Sequence, residues 1–276
     1  MASGRVIDLH SHSTASDGVF PPAQVADQAA AAGLAVWALT YHDSVAGIPE
    51  AAAVAARHGL RLVPGIELST FIDRREIHVL GHFLDPGSRA IREFEDLLAE
   101  KRRVRMGEII EKLAAVGVAV LPDDIEKYAG GKILGRPHVA RALVEHGHAS
   151  SVKEAFDRWL GDGKPAFVPR FRLEARDAIA LIRGAGGVAT VAHPGLSRVE
   201  RGDLQRMAEW GLGGVEVSHP EQNPSVRDKY RKLCGELDLV PTAGSDYHGE
   251  AVAPGRHFGD CSMAESELAA LEARRP

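Results

Sequence analysis

An α/β fold built on a mostly parallel sheet is predicted by three observations. Short apolar runs end in polar residues, alanine-rich stretches of helical period lie between them, and glycines stand where those helices would stop. A parallel sheet is covered on both faces, so its strands read as continuous apolar runs. Seven runs qualify, at 5–9, 36–40, 61–68, 77–83, 187–192, 214–218 and 240–243. Seven strands threaded by helices suggest closure into a barrel. Helices are expected at 21–32, 48–58, 173–184 and 223–237. Gly33, Gly59 and Gly184 serve as stops because glycine accepts the left-handed geometry of a helix end.

The alternation breaks between about 88 and 169. Ile91, Phe94, Leu97 and Leu98, then Met106, Ile109, Ile110 and Leu113, recur at helical spacing, and helical segments at 137–145 and 152–160 follow with no strand between. The expected division is a first barrel part at 1–87, a helical insertion domain at 88–169 and a second barrel part at 170–276. The insertion reads either as a packing appendage or as a lid that selects substrate.

With 276 residues, 45% of them hydrophobic, the chain can bury a sizeable core. Cys234 and Cys261 lack any paired spacing, which argues against a disulfide framework or a zinc knuckle. Residues 1–5 carry no apolar leader and no run approaches bilayer length, so a soluble, cytoplasmic protein without a membrane role is expected. The net charge of -5 argues against a stable nucleic-acid scaffold role, which needs basic surface to displace counterions. Small anionic substrates remain compatible, because bound cations supply local positive charge.

The chemistry sits at the strand ends. The first strand runs into Asp8-Leu9-His10-Ser11-His12, and alternate residues of an extended segment point the same way, so His10 and His12 can face one point. Asp17 lies in the following loop, His42 after the second strand, and Glu67, His78 and His193 at or near later ends. Gly244-Ser245-Asp246-Tyr247-His248 closes the last strand with a carboxylate and an imidazole two residues apart. Singly, each reads as a capping or hydrogen-bonded loop residue. Jointly they read as a site, because barrel folds gather functional residues at the carboxyl ends of their strands.

These segments, with Ser16-Asp17-Gly18, Leu39-Thr40-Tyr41-His42-Asp43, Gly65-Ile66-Glu67, Ile77-His78-Val79 and Ala192-His193-Pro194-Gly195, resemble the polymerase-and-histidinol-phosphatase (PHP) family of phosphoesterases. Within it they resemble the branch that includes 3′,5′-nucleoside bisphosphate phosphatases. The resemblance implies a distorted (β/α)7 barrel, the PHP fold, holding two or three divalent metal ions. By it, His10, His12, Glu67 and Asp246 hold one ion. Glu67 bridges to a second with His78 and His193, and Asp17, His42 and His248 hold a third. Asp8 and Tyr41 stand behind these ligands. Imidazole and carboxylate donors without thiolate suit Mn2+, Fe2+ or Zn2+, and the resemblance favours Mn2+. Where relatives read Thr-Asp-His-Asp this chain has Thr40-Tyr41-His42-Asp43. The phenol either weakens the third ion position or stacks on a substrate base.

The implied activity is hydrolysis of a nucleotide phosphate monoester, the 3′-phosphate of a nucleoside 3′,5′-bisphosphate, by water that the ions activate. Two alternatives stay open: a 5′-3′ exonuclease on short 5′-phosphorylated oligonucleotides, and a catalytically weak metal-binding module. Ser11 and Ser245 lack a hydrolase elbow and are expected to serve as loop hydrogen-bonding residues. Arg136 and His138 in Gly135-Arg136-Pro137-His138 are expected to contact substrate phosphate, with His138 also a candidate acid; Lys164 and His219 are further anion-binding candidates. His58, His146, His148 and His257 read as solvated or capping residues.

Overall fold

The computed structural model describes residues 5–129 and 135–276, so residues 1–4 of the stretch read for a leader lie outside the described residues. The chain forms two compact units, one from the residues up to Arg92 together with Leu173–Pro276, the other from Glu93–Arg172.

The first unit opens with β1 (Val6–Asp8), α1 (Pro22–Ala31), β2 (Leu34–Leu39), α2 (Ile48–His58), β3 (Arg61–Ile72) and β4 (Arg75–His82). The long helix α3 (Arg89–Ala115) leaves it. The second unit continues with α4 (Pro122–Ala129), α5 (Arg136–Glu145), α6 (Val152–Ala155) and a π-helical turn at Phe156–Leu160. The first unit then resumes with β5 (Leu173–Glu174), α7 (Ala175–Gly184), β6 (Val188–Val191), α8 (Arg201–Glu209), β7 (Gly214–Ser218), α9 (Pro224–Leu237), β8 (Val240–Ala243) and α10 (Glu265–Glu272).

The strands join one mixed sheet in the order β1-β2-β3-β4-β6-β7-β8, with β5 beside β3. The prediction of a mostly parallel sheet needs correction at β4, which runs antiparallel to both β3 and β6. Only Asp73 and Arg74 separate β3 from β4, too few residues for the crossover a parallel pair needs. The predicted helix start at 173 also moves, because Leu173 and Glu174 pair with Thr70 and Phe71. Gly33 and Gly59 end their helices with positive φ, while α7 runs through Gly184 and the left-handed residue is Gly186. Helices α8 and α10 were not foreseen, since each buries only a pair of large apolar residues, Leu204 with Met207 and Leu268 with Leu271.

Past the formal strands, the Leu9 N–H donates to the Ala243 carbonyl at 3.0 Å and Ser11 bridges to Tyr247 in parallel, so the chain leaving β1 meets the chain leaving β8. A core of Ile7, Val36, Val63, Val188, Val240 and Leu271 lies buried in the first unit. Fully burying an aliphatic side chain contributes about 1.5–3 kcal/mol. The second unit has its own core around Ile109, Leu113, Val139, Leu143 and Leu160.

Candidate metal centre

The extensions beyond the strands carry the site. His10, Ser11 and His12 follow β1, and Thr40 clasps their backbone, its N–H donating to the Ser11 carbonyl at 2.9 Å. The Ser11 hydroxyl accepts from the Trp37 indole at 2.7 Å and donates to the Ala38 carbonyl at 2.8 Å, which pins the turn between the two histidines. Ser11 is therefore a buried brace, as the missing elbow implied. His42 bridges to Glu67 because the chain leaving β2 continues along β3, with the Glu67 N–H donating to the Tyr41 carbonyl and the Asp43 N–H to the Glu67 carbonyl. His78 does not follow a strand end. It lies inside antiparallel β4 opposite Ser69, which sets it diagonal to Glu67 on one sheet face.

Three groups of donor atoms result among the described residues: His10, His12, Glu67 and Asp246; His42, Glu67 and His78; and His12, Asp17, His42 and His248. In the first, Glu67 Oε2 lies 3.1 Å from His10 Nε2 and 3.0 Å from His12 Nε2, and Asp246 Oδ1 lies 3.2 Å from each. A tetrahedral ion with bonds of about 2.1 Å has ligand-to-ligand edges of about 3.4 Å, so these spacings fit a cation. His12 Nε2 makes no hydrogen bond of normal geometry despite that proximity. Glu67 turns its other oxygen to His78 Nδ1 at 2.7 Å and His193 Nε2 at 3.3 Å, which sets one carboxylate between two groups of imidazoles and brings in His193. Asp17 reaches His248 at 3.4 Å and His42 at 3.6 Å. Exposure rises across the site, from 0% at the His10 and His12 side chains to 27% at His42 and 51% at Asp17. The third group is the solvent-facing one.

Two of these residues sit in left-handed backbone, His193 at φ 26° and Asp246 at φ 51°, a conformation that costs a non-glycine residue and concentrates at functional positions. The electrostatics are mutual. Burial raises the carboxyl pKa of Glu67 and Asp246, but neighbouring histidines outweigh it and hold both well below the usual carboxylate range. Burial likewise opposes charge on His12 and His78, yet the carboxylates that face them, Asp17, Asp246 and Glu67 at His12 and Glu67 and Glu76 at His78, lift them to about 10 and about 9. Burial pushes His42 down to about 4.

A pH prediction follows with a definite sign. With imidazole pKa values raised above the unfolded value of about 6.5, the metal-free protein holds their full stabilisation below that pH and loses it as pH rises through about 9 and about 10. A cation must displace these protons, so loading at pH 7.5 should release them. Calorimetry in buffers of different ionisation enthalpy reads the release, and proton-neutral binding would contradict the arrangement.

Asp8 holds the loops together. Its carboxylate accepts from the backbone N–H groups of His10, Ser245 and Gly259, although burial still raises its pKa to about 6. Tyr41 is different from its expected role. It is fully buried, and its hydroxyl lies against Gly47, where an added Cβ would come within 2.2 Å of it. Ser13 is its polar neighbour, but no hydrogen bond of normal geometry forms. The ring makes no hydrogen bond to His42 and is closed off from solvent. Tyr41→Asp should therefore bury an unmatched carboxylate and destabilise the fold by about 1–3 kcal/mol or more, while Tyr41→Phe should leave melting temperature and metal content near the parent's.

His219 also needs correction: it is fully buried and so is not an exposed anion contact. Its Nδ1 accepts from the Glu221 N–H, which leaves the proton of the neutral ring on Nε2, 3.4 Å from Asp246 Oδ2. Arg136 and His138 lie in the second unit. Arg136 packs between the Phe156 and Phe167 rings and donates to the Leu160 carbonyl and Asp162, and His138 Nδ1 accepts from the Gly135 N–H at the start of α5. Lys164 is exposed in the same unit. His58 and His146 pair with Asp27 and Asp124, His148 meets the Ala119 carbonyl, and the His257 backbone caps a turn with Asp260.

Two residues escaped the sequence reading. Glu216, 1% exposed in β7, places Oε1 2.9 Å from His10 Nδ1 and accepts from the His193 N–H through Oε2 at 2.7 Å. Its signal was an isolated acid inside the apolar run Val215-Glu216-Val217. Arg256 donates to Asp246 and Glu221 from a loop with no motif around it.

The comparisons with known proteins identify the family. The PHP domain family model matches residues 8–162. A 5′-3′ exoribonuclease of Haemophilus influenzae is 37% identical over 248 residues, 87% of this chain and 89% of that protein. A 3′,5′-nucleoside bisphosphate phosphatase of Chromobacterium violaceum is 34% identical over 264 residues, 94% of this chain and 91% of that one. A solved structure described as a metal-dependent phosphoesterase from Bifidobacterium adolescentis superposes with a TM-score of 0.78 at 28% identity, covering 99% of this chain and 97% of that chain. The chain belongs to the PHP domain family.

Proposed function

We propose that the protein is a metal-dependent phosphoesterase that hydrolyses a phosphate monoester of a nucleotide, the 3′-phosphate of a nucleoside 3′,5′-bisphosphate. The observation that carries the reading is Glu67, one buried carboxylate whose two oxygens face two separate sets of imidazoles. His10, His12, Glu67 and Asp246 would hold one ion, Glu67, His78 and His193 a second, and Asp17, His42 and His248 a third, with Mn2+ the preferred metal. Divalent ions there supply an activated water and neutralise charge on the phosphoryl oxygens. The chain's own part is to orient those ligands: Glu216 fixes His10, His219 and Arg256 hold Asp246, and Asp8 ties down the backbone of His10 and Ser245.

The contacts between the chain leaving β1 and the chain leaving β8 support reading the sheet as a distorted (β/α)7 barrel, and the helical elements of the second unit support reading it as an insertion domain that selects substrate. For Arg136, His138 and Lys164 the proposed role is contact with substrate phosphate, His138 also serving as an acid. A second reading, 5′-3′ exonuclease action on short 5′-phosphorylated oligonucleotides, is favoured by the Haemophilus relative.

Phosphate release with Mn2+ from adenosine 3′,5′-bisphosphate, set against a 5′-phosphorylated trinucleotide, decides between them. Preference for the bisphosphate is expected; a wide preference for the oligonucleotide would install the second reading. On the preferred substrate, Arg136→Ala should lower kcat/KM by about 1.5–3 kcal/mol equivalent with metal content unchanged. Kinetics equal to the parent's would leave Arg136 with its local role beside Asp162.

A further inference from the structure

Asp246 divides its carboxylate between two environments. Oδ1 faces His10 Nε2 and His12 Nε2, both at 3.2 Å, while Oδ2 faces outward to His219 Nε2 at 3.4 Å and to the Arg256 guanidinium. Arg256 grips the residue twice, since the same guanidinium nitrogen reaches the Asp246 backbone carbonyl at 3.3 Å. That backbone is the left-handed one at φ 51°. A strained residue persists only where its surroundings over-determine it, and here one side chain holds both its carbonyl and its carboxylate.

Arg256 is itself anchored. Its second terminal nitrogen donates to Glu221, which shares a turn with His219. That turn is fixed by the Arg227 guanidinium on the His219 carbonyl at 2.8 Å and by the Gln222 amide on the Glu216 and Val217 carbonyls at 3.0 and 2.9 Å. Arg256 also lines a cavity of about 330 Å³ with Glu221, His248, Val252, Ala253 and Pro254. Its side chain is only 17% exposed, and its terminal nitrogens are spent on two carboxylates.

We propose that Arg256, anchored by Glu221, is a positioning residue that holds Asp246 in its left-handed conformation with Oδ1 alone turned toward the ion site. This rests on the reading of Asp246 as a metal ligand. Two physical effects of the guanidinium oppose each other. Its positive charge repels a cation, whereas its grip on Asp246 keeps the ligand in place. The double contact on a strained residue makes the grip the larger effect, and outer partners of metal ligands typically change affinity or activity 10–100-fold.

The test is Mn2+ titration, read by metal content after equilibrium dialysis, together with kcat and KM for phosphate release, on the full-length chain. Arg256→Ala should weaken Mn2+ binding roughly tenfold or more and lower kcat more than it raises KM. Arg256→Lys should recover part of both, and Glu221→Gln should fall between parent and Arg256→Ala. The two milder variants keep a cation or an uncharged isostere in place, so they answer the question even if the alanine variant folds poorly. Unchanged or tighter Mn2+ binding across these variants overturns the proposal in favour of plain charge repulsion. A raised KM with metal content intact overturns it in favour of a substrate-phosphate contact. Asp246→Asn separates the layers: if it loses Mn2+ while the Arg256 variants do not, only the positioning proposal has failed, and if it keeps its full Mn2+ complement, the ligand reading beneath has failed.

Discussion

Replacing Glu67 with glutamine is expected to abolish turnover and to remove more than one ion from the protein in a single step. Glu67 is 1% exposed and faces five imidazoles through two oxygens, with His10, His12 and His42 on one side and His78 and His193 on the other. Glutamine keeps the volume, so the packing that surrounds the site survives, but it removes the negative charge and turns an N–H2 donor toward one set of imidazoles. Both donor sets that share this residue then lose an anionic ligand together. Charge stabilisation by a bound ion is worth several kcal/mol in the transition state. Each 1.36 kcal/mol is tenfold in rate, so a loss of about a thousandfold or more is expected. His248→Ala is the control, because its donor pairs with Asp17 in the solvent-facing group and touches neither oxygen of Glu67. Elemental analysis after Mn2+ loading and a kcat measurement on the same samples check both statements. A glutamine variant that retains the parent's metal stoichiometry would remove Glu67 from its bridging role.

The candidate ligands were legible because their chemistry is local. His10 and His12 alternate along an extended segment, so spacing alone aims them at one point, while Asp246, two residues from His248, turns to the His10 and His12 group through left-handed backbone. His193 and His42 follow apolar runs that could hardly be anything but strands. The direction of β4 was not legible, since it depends on a two-residue turn between runs that looked like neighbours in a parallel sheet, and with it went the true setting of His78. Helix α8, with the sequence Arg-Gly-Asp-Leu-Gln-Arg-Met-Ala-Glu, hides from periodicity because polar residues dominate and Asp203 is buried against Arg75 and Arg206. Tyr41 shows the limit of arguing from a neighbour in sequence. It precedes a ligand, but strand alternation sends its side chain away from His42, so the residue meets the site only through its carbonyl. Arg256 was invisible for the opposite reason: ten residues and a loop separate it from the Asp246 it holds.

Glu216 is where the hidden part of the site should have its largest effect, and Glu216→Ala is expected to cost both metal and stability. His10 can offer Nε2 to an ion only if the ring proton sits on Nδ1, and Glu216 Oε1, 2.9 Å from that nitrogen, is the group that keeps it there. The other oxygen accepts from the backbone N–H of His193, a residue at φ 26°, so one carboxylate orients a proposed ligand of the first ion and the backbone of a proposed ligand of the second. Burial raises the Glu216 carboxyl, yet His10 outweighs this and holds its pKa below the usual range, so the group is an anion in the folded protein. Removing one member of a buried charged pair typically costs about 3–5 kcal/mol, because the partner is left without compensation. Removing the outer carboxylate of a ligating histidine typically weakens metal binding 10–100-fold. Glu216→Gln is the sharper variant. Its amide has one acceptor for two donors, so it can satisfy His10 Nδ1–H or the His193 N–H but not both. It should therefore fall between the parent and the alanine variant in melting temperature and in Mn2+ affinity, with KM little changed, since Glu216 is buried behind His10 and out of reach of substrate. A glutamine variant that matches the parent in Mn2+ affinity would show that His10 is oriented by something other than this carboxylate.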